Sequence, residues 1–138
     1  MLDPQFGRYA TNVQTEPFGI LNVSWDGNIS TFSPELLGAS DPRFGTFLFG
    51  SVAGGSLAGS AASPKLQRVA REIRRGVTRC RQVCPYFSFC RGGAPANKLA
   101  ETGRFDATVT GFCTVTQMIV AETVLRGLEQ DLTVARAS

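Results

Sequence analysis

The chain of 138 residues contains no histidine. That removes Ser-His-Asp and Cys-His nucleophilic arrangements, His-ligated zinc and Rieske-type iron–sulfur centres. It also lacks any apolar run near the eighteen or so residues that a membrane-spanning helix needs. The start, Met1-Leu2-Asp3-Pro4-Gln5, has no basic flank followed by an apolar stretch, so no secretory signal is read and a cytoplasmic setting is expected. The glycine-rich run over 53–62 is followed by Lys65-Leu66 and not by Lys-Ser or Lys-Thr, which excludes a phosphate loop. Charge is scarce at 18%, while 43% of residues are hydrophobic, enough for one folded core and too little charge for a disordered chain.

Net charge is +3, unevenly spread: Lys65, Arg68, Arg71, Arg74, Arg75, Arg79 and Arg81 make up seven of the fourteen basic residues, with only Glu72 among them. Such a stripe is ordinarily a solvated helix face, and it is also a candidate docking face for an acidic partner. No aromatic residue interleaves with these arginines, which argues against nucleic acid because bases need stacking platforms.

The sequence predicts an α+β fold. Residues 1–16 read as an irregular arm. Strand formers from Gly19 to Trp25 run into Asp26-Gly27, a tight-turn dipeptide, and return through Asn28–Phe32, giving a β-hairpin over about 19–33. Ser33-Pro34 opens one helical turn that Gly38 stops, and residues 53–62 read as a linker or packed loop. Ser63-Pro64 then opens the clearest helix, with Leu66, Val69, Ala70, Ile73 and Val77 as its stripe and Gly76 weakening its end. A second principal helix spans about Cys113 to Leu128, with Val115, Met118, Ile119, Leu125 and Leu128 expected to pack. The segment 80–112 between them reads as loop-rich, and 132–138 as a tail.

Four cysteines carry the chemistry, spaced Cys80-x3-Cys84-x5-Cys90-x22-Cys113. Disulfides would need an oxidising compartment. The tripeptides Asn22-Val23-Ser24 and Asn28-Ile29-Ser30 fit the glycosylation pattern but lie inside the hairpin. Four thiolates suit zinc, yet zinc modules usually present paired C-x2-C units, and none occurs here. Unequal spacings with one remote cysteine suit an iron–sulfur cluster. Pro85, Tyr86, Phe87 and Phe89 could shield its sulfurs, and Gly92 and Gly93 could bring backbone N–H groups close. Unrelated buried thiols rarely cluster this tightly, yet spacing alone leaves iron–sulfur, zinc, disulfide and unliganded thiols all open.

The run Cys80-Arg-Gln-Val-Cys84-Pro-Tyr-Phe-Ser-Phe-Cys90-Arg-Gly-Gly-Ala-Pro-Ala-Asn-Lys98, with Glu101-Thr-Gly-Arg-Phe105 and Cys113 beyond it, resembles the SPASM domain of radical SAM peptide maturases, in particular the cyclophane-forming branch. The stretch Pro17–Gly38 resembles the hairpin segment of the same family, so the likeness covers residues 17 to about 128 and sets a SPASM-like unit over 17–131. The resemblance implies one auxiliary [4Fe-4S] cluster with Cys80, Cys84, Cys90 and Cys113 as ligands. A second cluster would need cysteines where Phe32 and Ala94 stand. Arg91 and Thr114 depart from the family pattern at the third and fourth cysteines. The radical-generating C-x3-C-x2-C loop is missing, because residue 87 is Phe, so the chain is not expected to be catalytic alone. Implied instead is an accessory role in a peptide-modification system, by electron transfer or substrate positioning beside a radical SAM subunit. The alternative is a small iron–sulfur or structural subunit of a larger redox complex.

Overall fold

The computed structural model describes residues 11–137. It is a small α+β fold in which a hairpin sheet and a long helix share one core. Strands β1 (Leu21–Val23) and β2 (Asn28–Thr31) pair antiparallel with Val23 opposite Ile29, and β2 also pairs with β5 (Gly50–Ser51). The hairpin turn is a three-residue loop and not the two-residue turn that Asp26-Gly27 suggests. The Gly27 N–H donates to the Ser24 carbonyl at 2.9 Å, and Gly27 takes φ 81°, which glycine adopts without strain. A second pair, β3 (Ser40–Asp41) with β4 (Gly45–Thr46), brings Phe47 and Phe49 inward. Pro34–Leu36 forms a single 3-10 turn after Ser33, but the Ser33 side chain does not cap it as expected and donates to the Glu35 carboxylate instead.

Six helical segments follow. The run read as a linker contains α1 (Leu57–Ala62), because the Ser56 hydroxyl accepts from the Gly59 N–H at 3.0 Å and starts a helix that small residues then continue. Helix α2 (Pro64–Val83) buries Leu66, Val69, Ala70 and Ile73 as predicted, and it runs four residues past its expected end. Gly76 does not weaken it. A Cβ there would sit 2.5 Å from the Phe105 carbonyl oxygen, so glycine is what lets the 105–106 backbone lie against the helix. The remaining segments are α3 (Phe87–Cys90), α4 (Pro95–Thr102), α5 (Gly111–Cys113) and α6 (Ile119–Ala137), with a π-helical turn over Thr114–Met118 joining the last two.

The core comprises Phe32, Leu36, Phe47, Phe49, Leu66, Val69, Ala70, Ile73, Ala96 and Phe105. Phe47 and Phe105 meet edge to face with centroids 5.6 Å apart, and Phe32 meets Phe49 in the same way at 6.4 Å. Phe32, at the position where a second cluster would want a ligand, is fully buried and takes φ 75°. Left-handed backbone costs a bulky residue about 1–3 kcal/mol, and burying a phenylalanine returns about as much or more.

The C-terminal helix departs from expectation. It continues through the segment read as a tail, and the stripe expected to pack is open: Val115, Ile119, Leu125 and Leu128 are all exposed, while Ala121 is buried. Apolar spacing revealed the helix but not what covers it. Residues 1–10 of the predicted arm lie outside the described residues. Among the described residues no helix is long and apolar enough to cross a membrane.

Candidate metal centre

Helix ends, not a loop, carry the four cysteines. Cys80 lies in the last full turn of α2, Cys84 caps that helix with its N–H on the Cys80 carbonyl at 2.9 Å, Cys90 ends α3 and Cys113 ends α5. The correction to the loop-rich reading concerns Cys80: α2 extends beyond Gly76 and carries it into the interior, where it is 5% exposed. No two of the four are joined in a disulfide. Cys90 and Cys113 line one pocket. The Cys113 thiol is pushed up by burial first, with the neighbouring Cys90, Cys84 and Cys80 adding to the rise. Among the described residues no three His, Cys, Asp or Glu side chains are gathered tightly enough to hold a single metal ion.

Each cysteine is braced separately. The Asn12 amide donates to the carbonyls of Cys90 (3.1 Å) and Gly93 (2.7 Å), tying the arm to both ends of the turn after α3. Within that turn Arg91, Gly92 and Gly93 take φ 53°, 109° and 72°. A Cβ on Gly92 would lie 2.8 Å from a Val77 methyl, so glycine is required there for both conformation and space. Cys113 is positioned by a cap from a distant helix. Glu101 of α4 accepts from the Gly111 and Phe112 N–H groups at 2.6 and 3.1 Å, and the Thr110 hydroxyl accepts from the Cys113 N–H at 3.1 Å. Tyr86 donates to the Glu122 carboxylate and links the cysteine segment to α6. Its hydroxyl pKa is held up mainly by that hydrogen bond.

A pocket of about 500 Å³ opens beside Cys90 and Cys113, with Asn12, Arg91, Asn97 and Phe112 in its wall. The Arg91 Nε is buried there without a hydrogen-bond partner. Of the two expected shielding aromatics, Phe87 is half-buried with the Arg81 guanidinium 5.2 Å from its ring centre, whereas Phe89 is 58% exposed. Four cysteine side chains, a glycine turn and the unpartnered Arg91 N–H are donors of the kind an iron–sulfur cluster takes.

Sequence reasoning gave Asn12, Gly76, Lys98 and Glu101 no role at this site. Thr110-x-x-Cys113 carries a recognisable cap signal, but nothing local to Glu101 or Asn12 points to partners 10 to 81 residues away. Removing the distant cap has a defined cost: Glu101→Ala lowers stability by about 1 kcal/mol, the usual worth of an N-terminal cap, and the midpoint of thermal unfolding reads it.

The basic stripe of α2 is partly structural. The Lys65 ammonium donates to the Leu48 carbonyl at 3.0 Å, and Arg79 pairs with Asp106 at 2.9 Å. Arg71, Arg74 and Arg75 stay exposed. Asp106 is buried and also receives both prongs of Arg104, at 2.8 and 3.0 Å. The Arg104 hydrogen bonds, against the opposing cost of burial, hold its carboxyl below the ordinary value of 3.8, with the charges of Arg104 and Arg79 adding to them. A depressed carboxyl contributes stability above its unfolded pKa and loses it as pH falls through the folded one. Stability attributable to Asp106 therefore declines on acidification below 3.8. Asp106→Asn costs about 1 kcal/mol near neutrality, since its arginine partners are half-exposed, and flattens the acid limb of stability against pH.

No family model matches this chain, and no solved structure matches it. It is similar to the uncharacterized protein sll1766 of Synechocystis sp., at 43% identity over 119 residues, covering 86% of this chain and 30% of that protein's length.

Proposed function

We propose that this chain is an auxiliary iron–sulfur unit of the SPASM kind. In this reading Cys80, Cys84, Cys90 and Cys113 hold one [4Fe-4S] cluster, and the unit is an accessory part of a radical SAM peptide-modification system. The observation that supports the reading is that four unpaired thiols sit at helix ends, with Cys90 and Cys113 in the wall of one pocket. A cube of iron and sulfide holds its thiolates farther apart than zinc does, so the reading does not need the tight grouping that a single ion would.

When bound, such a cluster supplies one-electron chemistry. The chain's own residues hold and tune it. Helix ends fix the four sulfurs, the turn over Arg91–Gly93 lays backbone and the free Arg91 N–H beside them, and Asn12 and Glu101 keep the third and fourth ligands in place. Anaerobic purification tests the reading. About four irons and four sulfides per chain, with broad visible absorption, are expected, whereas stoichiometric zinc or no metal overturns it.

The exposure of Phe89 beside Cys90 favours a second reading, an electron-transfer subunit of a larger redox complex, because an apolar side chain at the surface next to a ligand suits a contact face for electron hopping. Affinity purification from the native source separates the two: a radical SAM protein supports the first, a redox complex the second.

A further inference from the structure

Lys98 is 3% exposed. Lysine is almost never that buried unless its charge is paired. Its ammonium donates to Cys80 Sγ at 3.3 Å, and among the described residues no carboxylate pairs with it. Asp106, the nearest buried acid in the sequence, is already taken by Arg79 and Arg104. The room for the ammonium is made by Gly76, whose missing Cβ would stand 3.4 Å from Nζ. Helix α4 aims the side chain, with Pro95 and Ala96 of its first turn also buried. A neutral thiol is a weak acceptor and repays a buried cation poorly. A sulfur bound to iron would be the stronger acceptor, and the placement sets a buried ammonium directly on that candidate ligand.

From this geometry we infer that Lys98 is a positioning residue for the iron–sulfur site: a fixed positive charge on the Cys80 ligand that raises the reduction potential of the cluster. The inference rests on the reading that Cys80 ligates a cluster. Adding one electron from a chemical reductant makes the cluster more negative, and a buried cation against a ligand sulfur favours that state over the oxidised one. Neutralising the side chain while keeping its length, as in Lys98→Met, removes the preference without emptying the space.

The test is a mediated redox titration of anaerobically purified wild type and Lys98→Met, with iron and sulfide counted in both. At a fixed potential the ratio of reduced to oxidised cluster is expected to fall at least tenfold in the variant, equivalent to about 59 mV for a one-electron couple. An unchanged potential with a full cluster overturns the inference and leaves the cluster reading standing. Wild type without iron and sulfide removes both. Should Lys98→Met lose its cluster, Lys98→Gln takes its place in the titration. Resonance Raman spectra of the wild type in H₂O and D₂O give a reading that needs no variant. An iron–cysteine stretch that shifts with the exchangeable ammonium protons, and no longer does so in the neutral variant that keeps its cluster, supports the inference. Identical spectra in the two solvents count against it.

Discussion

With the proposed cluster in place, Cys113→Ser is expected to strip it: metal and sulfide would fall from about four per chain to below one, and the visible absorption would go with them. The remote position of Cys113, 23 residues after Cys90, would make it the ligand that closes the proposed site across the fold. Its loss leaves three thiols on the α2–α3 side with nothing opposite. Binding energy of a metal group in a small domain is also folding energy, on the order of 10 kcal/mol for structural zinc. The thermal midpoint should therefore drop together with the absorption. Atomic absorption and a thermal melt on the same anaerobic sample check both. A Cys113→Ser protein that keeps its full iron content would take this residue out of the ligand set.

The second large effect belongs to the core. Phe105→Ala removes a ring that is 1% exposed and in contact with Phe47 and with Phe44, whose centroid is 5.8 Å away. Truncating a buried phenylalanine costs about 3–5 kcal/mol, against a total of about 5–15 kcal/mol for a typical domain. The denaturation midpoint in urea should fall by a large fraction of its value. The effect should reach the cysteines too, because the Phe105 carbonyl lies against Gly76 and the Asp106 carboxylate anchors Arg79 one residue before Cys80. A variant that loses less than about 1 kcal/mol would mean that the Phe44–Phe47–Phe105 cluster closes over the gap.

Much of this fold is legible in the sequence. The alternation around Asp26-Gly27 marks the hairpin, Ser-Pro marks the start of α2, and the spacing of Leu66, Val69, Ala70 and Ile73 marks the buried face. The misreadings have physical causes. Gly76 looks like a helix weakener because local propensity carries no information about a carbonyl arriving from residue 105. Residues 53–62 look like a linker because glycine and serine are poor helix formers, yet a single serine cap and a neighbouring helix suffice to order Leu57–Ala62. The stripe on α6 looks like core because periodicity reports a face and not its occupant. At the candidate site the cysteines are plain in the sequence. Their braces are not, because Asn12, Lys98 and Glu101 act on residues far along the chain.

Asn12 grips both ends of the Cys90–Gly93 turn while its own side-chain oxygen accepts from the Gln14 N–H. The short segment at the head of the described chain is thus a tether whose far end is knotted to the third cysteine.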